Sequence, residues 1–162
     1  MVPRKVYESI SRIKRVKVKA IAEARIGNII KFNKDDEIEL PFWMAEELER
    51  NGLVKIKDID IDELGKILFQ ERQSMNRPAE LYPLPKNFYL EIHKMIDNRV
   101  NSADKDKKKL DIMKQIVDIR KRKLTQLASL NPLDQRIINN ITEEEYYVVT
   151  RLSEILQLMW LP

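Results

Sequence analysis

The sequence contains no cysteine, a single histidine and only three glycines among 162 residues. Without cysteine there is no disulfide, no thiolate nucleophile and no cysteine-ligated zinc. His93 alone cannot supply a histidine-based triad or zinc site, and its position on a predicted apolar stripe favours a partly packed side chain. Three glycines in total cannot make a phosphate-binding Walker loop or a dinucleotide fingerprint. We therefore expect no active site, no cofactor and no metal centre.

Long apolar runs are also missing, and the charge is nearly balanced. No apolar stretch approaches the roughly 20 residues that span a membrane, and no signal-peptide pattern opens the chain. Lysine and arginine number 30 against 26 aspartate and glutamate, and the formal net charge of +4 excludes a histone-like polycation. The 43% hydrophobic content is enough to fill a core. We expect a folded cytoplasmic protein with no membrane contact.

The basic charge is concentrated in residues 1–19, where lysine and arginine greatly outnumber the single glutamate. Such a segment can hold nucleic-acid phosphates through charge alone, without reading bases. A solvated arm, or a lysine-studded edge strand that discourages aggregation, is the simpler interpretation. The candidates for a nucleic-acid contact are Arg12, Lys14, Arg15, Lys17 and Lys19.

A period of two in the hydrophobic pattern begins at Val16. Apolar residues alternate with lysines over residues 16–20 and again over 54–56, and a further short strand lies near Ile26–Phe32 around a Gly-Asn turn. Residues 33–39 are polar and acidic, so we expect a solvated loop; the spacing of its carboxylates fits no calcium loop. These strands predict a small β-rich unit.

One helix interrupts these strands, and a second, larger domain follows them. Pro41 suits the first turn of a helix that runs to about Asn51, where Gly52 can end it in the left-handed conformation. At Asp58 the hydrophobic period becomes helical. We therefore predict a β-rich domain over residues 1–57 and an all-helical domain over residues 58–162, an α+β fold.

Four helices are predicted in the second domain from their caps and periodicity. Asp60 caps the first, which fades near Gln73; a Pro-punctuated connector leads to a second that starts after Pro85. The third is long, and the capping box of Thr142 with Glu145 starts the last. Residues 133–141, a short polar-apolar stretch, separate these two.

The long helix is expected over Asp104–Leu130, which contains neither glycine nor proline. Its apolar residues recur at spacings of three and four and form a face so wide that it needs covering on more than one side. Arg120 is the one charged residue in this seam. If fully buried it requires a carboxylate or carbonyl partner. The interpretation we favour from sequence is an arginine at the rim, whose stem packs while its guanidinium reaches water.

Several stretches, in this order, resemble subunits of the GINS complex. The most specific are LPFWMAEEL and PLPKNFY. The stretches that carry the resemblance are Leu40–Leu48, Glu71–Arg72, Pro83-x-Pro85 with Phe88–Tyr89, Arg120-x-x-Lys123–Leu124, and Asn140–Ile141–Thr142 followed by Glu145. A small β domain placed before the helical domain resembles the second and third Psf subunits, the second most closely. The short loops resemble an archaeal member.

The resemblance implies a non-catalytic part of the replicative helicase assembly. GINS has four subunits, in archaea often two copies each of two types, and joins the MCM helicase and a RecJ-like protein. Trp43 would anchor the small domain, while Arg120 and Lys123 would be ordering contacts, paired with carboxylates within the helical domain or across an interface. The candidates for a subunit interface are Leu110, Met113, Val117, Leu124, Leu156, Met159 and Trp160.

A nucleic-acid-binding module is the alternative function. It would use the basic arm and four lysines of the predicted strands: Lys17, Lys19, Lys55 and Lys57. Aromatic residues that could stack on bases are scarce, because the strand regions offer only Phe32.

Overall fold

The computed structural model describes residues 12–97, 104–130 and 133–160. The chain divides into two compact units, Met1–Asp58 and Ile59–Pro162. Strands dominate the first and helices the second, so the predicted α+β class is confirmed. The basic arm before Arg12 lies outside the described residues.

The first unit contains two small antiparallel sheets. Strands β1 (Arg15–Ala20), β4 (Glu37–Pro41) and β5 (Val54–Ile56) form one, in the order β4-β1-β5, while β2 (Ala24–Ile26) and β3 (Ile30–Phe32) pair only with each other. The alternation predicted for β1 is real, since its valines and Ala20 are buried and its cationic side chains are exposed.

The prediction of a loop over residues 33–39 is confirmed for residues 33–36 and is wrong for residues 37–39, which begin strand β4. Its exposed positions carry glutamates, which in sequence suggest a loop. In the sheet, Glu39 lies opposite Lys17 and Glu37 opposite Lys19, so the acidic residues face cationic neighbours across the strands. Leu40 is buried on the other face. Glu37 and Glu39 therefore belong to the solvent face of a strand, while Asp35 and Asp36 lie in the turn before it.

Helix α1 (Phe42–Arg50) begins directly after Pro41 and ends before Gly52, whose φ of +70° is the left-handed conformation expected there. Its buried residues are Ala45 and Leu48. Trp43 is 49% exposed, so the expectation that it anchors the interior of the small domain is wrong. The reason is its phase, because Trp43 lies away from the face that Ala45 and Leu48 share.

The second unit contains five helices among its described residues: α2 (Ile61–Gln73), α3 (Phe88–Asp97), α4 (Asp104–Ala128), α5 (Gln135–Asn140) and α6 (Glu143–Gln157), followed by a 3-10 turn over Leu158–Trp160. Two predicted caps are present, since the Asp60 side chain accepts the N–H of Asp62, and Thr142 with Glu145 forms a reciprocal capping box. The short helix α5 was not predicted. Asp134 caps it through the N–H of Arg136.

Two apolar clusters fill the helical unit. The first joins α2, α3 and the N-terminal half of α4, with Leu64, Phe88 and Met113 fully buried. The second joins the C-terminal half of α4 to α5 and α6, with Val149 almost completely buried. Helix α4 is therefore the element that both clusters share.

Within the described residues, no helix has the combined length and apolar character needed to cross a membrane.

Candidate functional site

Arg120 lies at the centre of a buried charge network in the helical unit, with 0% of its surface exposed. Its Nε and Nη2 atoms donate to the two carboxylate oxygens of Glu145, at 2.8 and 2.6 Å. Nη1 donates to Glu71 Oε1 at 2.9 Å and to the Tyr82 carbonyl at 2.8 Å, and Nη2 also reaches the Asn140 carbonyl at 3.0 Å. The five N–H groups of the guanidinium thus match five hydrogen bonds.

Lys123, one turn further along α4, extends the network. Its Nζ donates to Glu71 Oε2, Ser74 Oγ and the Glu80 carbonyl, each at 2.7 Å. Glu71 also accepts the backbone N–H of Tyr82 at 2.9 Å. Two cations therefore neutralise two carboxylates in the interior, and an ammonium with three donors has three acceptors.

Glu145 contributes to the network and to the start of α6. Its Oε2 accepts the N–H of Thr142 at 3.0 Å, while Oε1 accepts the hydroxyl of Tyr89 at 2.9 Å. Burial, reinforced by the neighbouring Glu145 carboxylate, raises the pKa of Tyr89 above its ordinary range. Burial alone would lower the pKa of Arg120, but hydrogen bonds and charge from Glu145 and Glu71 hold that pKa above its usual value.

The network holds α2, α4, α6 and the connector after α2 in one arrangement. The expected pairing of Arg120 and Lys123 with carboxylates is found within the helical unit, and the interpretation of Arg120 as a rim residue is wrong. The sequence prediction missed the burial of Glu71, although Glu71 continues the apolar phase of Leu64, Ile67 and Leu68 on α2. Glu145 was explained by capping alone, and its partner Arg120 lies too far away in sequence for that pattern to show it.

A second buried pair ties α3 to α4. Lys109 donates to Glu91, whose other carboxylate oxygen accepts the backbone N–H of Ile59 at 3.1 Å. Both side chains are largely buried. The pair fixes the start of the helical unit against two of its helices.

The outer side of α6 carries exposed apolar residues, which we call the α6 strip: Val148, Ile155, Leu158 and Met159. Val148 and Ile155 are seven residues apart, so they share a face of the helix, and the 3-10 turn continues it. Ile155 is 60% and Met159 79% exposed, whereas Val149, on the neighbouring face, is 1% exposed. The apolar surface of α6 is therefore wider than the part that its own chain covers.

The six interface candidates whose side chains the structure describes differ in their exposure. Leu110, Met113 and Leu124 are buried in the apolar clusters of their own chain, so they are wrong as interface residues. Val117 and Leu156 are half-buried against the same clusters, and Met159 is exposed in the α6 strip. The side chain of Trp160 lies outside the described residues. The wide face of α4 misled the prediction because α2, α3 and α6 cover it.

The cationic candidates of the small unit lie among acidic side chains. Arg12, Arg15, Lys17 and Lys19 are exposed, and Lys14 is half-buried. The register places Lys19 opposite Lys55 on one side, but opposite Glu37 on the other. Lys19 pairs with Asp35 at 3.0 Å, and Lys57 lies 3.9 Å from Glu37. The exposed face of this sheet is therefore mixed in charge.

The structure does not bring the remaining candidates for base stacking, catalysis or metal binding together in one site among the described residues. Phe32, the one aromatic residue of the five described strands, is buried and cannot stack on a base. His93 is exposed on α3, contrary to the expectation that it is partly packed. Across the described ranges, no three histidine, aspartate or glutamate side chains are grouped so that they could hold a metal ion.

A helical bundle that is ordered by buried ion pairs and leaves apolar side chains exposed on its last helix has the features of a subunit in a larger assembly. Residues 58–161 match the Sld5 family, described as the GINS complex protein helical bundle domain. The match covers well over half of the chain, which therefore belongs to this family of GINS complex subunits that act in DNA replication. Curated proteins compared with the chain gave no match.

Proposed function

We propose that this chain is an archaeal-type GINS subunit, of the second or second and third Psf class, that acts as a non-catalytic accessory factor of the MCM helicase. It assembles with the other GINS subunit type as a 2:2 heterotetramer and works at the replisome, on the nucleoid in the cytoplasm, together with MCM and a RecJ-like protein. The order of the two units, with the β-rich unit first, supports the subunit class. The short connections between elements support the archaeal type.

The α6 strip is the observation that carries the proposed assembly. Complete transfer of a side chain such as Ile155 or Met159 from water into an apolar interface stabilises the complex by roughly 1.5–3 kcal/mol. Each of the four side chains of the α6 strip is more than half exposed, whereas soluble monomers seldom expose large apolar patches. A helix of another GINS chain that packs along α6 would cover the strip and continue the bundle.

The alternative, a nucleic-acid-binding module, has less support. Lys17 and Lys19 of β1 lie opposite glutamates of β4, and the strands present no exposed aromatic residue among those described. Weak DNA contact by the basic arm remains compatible with the assembly role, since charge alone is enough for it.

Sedimentation velocity at micromolar concentration tests the proposal. We expect the purified chain to self-associate or to express poorly, and co-expression with a GINS partner to give a defined oligomer. Deletion of residues 158–162 should weaken this assembly more than the triple change of Lys14, Arg15 and Lys17 to Ala. A compact, stable monomer that does not bind the partner would refute the assembly role.

A further inference from the structure

Arg151 is a charged residue that lies among the apolar side chains of the α6 strip. It follows Val148 by three residues and precedes Ile155 by four, so the three side chains share one face of the helix. It is also the only cation in the sequence of α6. A helix that packs along the strip, as the proposed assembly requires, therefore covers a guanidinium together with the apolar side chains.

The free chain gives Arg151 one carboxylate partner among the described residues, Glu154. The Nη1 atom donates to Glu154 Oε2 at 2.7 Å, and the guanidinium carbon lies 5.6 Å from the centroid of the Tyr147 ring. The side chains of Arg151 and Glu154 are 60% and 55% exposed, so solvent hydrates the rest of the guanidinium. Covering the strip removes that solvent.

The buried Arg120 shows what an arginine requires when this bundle covers it. Its Nε and Nη2 atoms bind the two oxygens of Glu145, and its Nη1 atom binds Glu71. Arg151 has the counterpart of the Glu71 bond, through Nη1 to Glu154, but the described part of its own chain supplies no second carboxylate. A covered guanidinium with unpaired N–H groups destabilises an interface, so the partner has to supply the acceptor.

The other glutamates of α6 do not fill this position. Glu145 is buried against Arg120. Glu143 and Glu144 lie in the first turn of α6, about two turns away from Arg151. Since α6 contains four glutamates and one arginine, its net charge does not attract an acidic partner. The preference for a carboxylate comes from the N–H groups of Arg151 and takes effect only when the strip is covered.

We propose that the helix on the α6 strip belongs to the other GINS subunit type and places a carboxylate against the Nε–Nη2 edge of Arg151. A helix uses its backbone carbonyls internally, and a carboxylate matches this edge with two parallel hydrogen bonds. The inference rests on the proposed function and adds the feature that fixes the register of the two helices.

A second copy of this chain does not meet the requirement. Two α6 helices packed in parallel would bring two copies of Arg151 together. An antiparallel pair centred on the strip would place Arg151 opposite Leu156 of the second copy, where the nearest carboxylate, Glu154, already has an arginine partner.

The experiment compares Arg151→Met with Arg136→Met in the co-expressed complex, with the Kd of assembly measured by sedimentation. Arg136 is exposed on α5 and pairs with Asp134 at 2.8 Å, so its variant loses an arginine and a local ion pair away from the strip. We expect Arg151→Met to weaken assembly tenfold or more, because the partner's carboxylate is left covered and unpaired. Arg136→Met should change the Kd less than twofold.

The direction of the change separates the alternatives. Methionine is more apolar than arginine, so Arg151→Met would tighten the complex if the partner covered the position without a carboxylate. If Arg151 stayed in water at the rim of the interface, the Kd would change less than twofold. Either result overturns the inference. Circular dichroism checks folding, which should be unchanged because Arg151 is exposed in the free chain.

A scan of the partner identifies the carboxylate. Aspartates and glutamates of the partner's helical domain are changed singly to asparagine or glutamine. One change should weaken the wild-type complex tenfold or more but the Arg151→Met complex less than twofold, as coupled residues do in a double-mutant cycle. A scan that finds no such coupling overturns the inference.

Ile155→Asp, measured in parallel, separates this inference from the proposed function. If Ile155→Asp and Arg151→Met both assemble like wild type, α6 does not carry the interface and both proposals are refuted. If Ile155→Asp weakens assembly and Arg151→Met does not, the interface on α6 stands and the partner carboxylate is refuted.

Discussion

Helices α4 and α6 present similar apolar patterns in the sequence but differ in how the folded chain uses them. On α4, the apolar seam is covered by neighbouring helices, and even Arg120 and Lys123 are buried among partners. On α6, Val149 and Glu145 face the interior, while Val148 and Ile155 remain exposed. The width of an apolar face therefore shows that it needs covering, but it does not show which chain provides the cover.

The two helices differ because of their neighbours. Helix α4 contacts α2, α3 and α6, which cover its apolar face, while residues such as Asp118 and Arg122 on its other side are exposed. Helix α6 packs on α4 and continues into the 3-10 turn, which itself exposes Leu158 and Met159. Changes on α4 should therefore affect the stability of the chain, and changes on the α6 strip should affect its association.

The largest effect is expected at Arg120. The change Arg120→Met keeps an apolar stem but leaves the Glu71 and Glu145 carboxylates without their shared cation in a dry interior. Breaking a buried pair from one side costs about 3–5 kcal/mol. Urea unfolding followed by circular dichroism measures this loss.

Arg122 provides the matched control, because it carries the same side chain two residues further along α4 and is exposed. The change Arg122→Met should alter the free energy of unfolding by less than about 0.5 kcal/mol. Equal losses for the two variants would mean that the buried network does not order the bundle.

A pair of apolar truncations compares the two helices directly. Met113 is fully buried on α4, so Met113→Ala should cost about 3 kcal/mol through lost contacts and a cavity. Val148 is exposed on α6, so Val148→Ala should cost less than about 0.5 kcal/mol in the isolated chain. Thermal unfolding of the two variants measures the difference, and a costly Val148→Ala would show that the α6 strip is covered by its own chain.

Trp43 tests whether the two units are separate domains. Because half of its surface is exposed, Trp43→Ala should cost about 1.5–2.5 kcal/mol, roughly half the loss for a fully buried tryptophan. A fragment of residues 58–162 should keep its helical circular dichroism. If this fragment unfolds as readily as the small unit of the Trp43→Ala variant, the division into two domains is wrong.

The smallest expected effect is the dependence of the free energy of unfolding on pH. The folded chain raises the pKa of Tyr89, so above the ordinary tyrosine value of about 10 the folded state binds more protons than the unfolded state. This contribution to stability is complete below about pH 10 and is lost as the pH rises further. Urea midpoints between about pH 8 and 11 should fall more steeply for wild type than for Tyr89→Phe. Parallel curves would contradict a role for the Tyr89 proton.

Local patterns predicted the features that depend on nearby residues. The capping box of Thr142 and Glu145, the alternation in β1 and the left-handed Gly52 all follow from neighbours in sequence, and the structure confirms them. Features that depend on distant partners were missed. Strand β4 was taken for a loop because its glutamates meet the lysines of β1 only in the sheet.

The candidate site shows the same limit. Arg120 was recognised as anomalous in its seam, but its partners Glu71 and Glu145 lie 49 and 25 residues away, so no local spacing could establish its burial. The interface candidates Leu110, Met113 and Leu124 on α4 failed for a related reason, since the helices that cover them come from elsewhere in the chain. The candidate that the structure leaves exposed is Met159, in the 3-10 turn that follows α6.

The most direct test of the central claim, that α6 carries the interface with another GINS chain, is sedimentation of the co-expressed complex with Ile155→Asp or Phe69→Asp. Both residues are exposed apolar side chains of the helical unit, at 60% and 62%, but Phe69 lies on α2. We expect Ile155→Asp to dissociate the complex or weaken it at least tenfold, and Phe69→Asp to leave it assembled. An Ile155→Asp complex that sediments like wild type would contradict the claim.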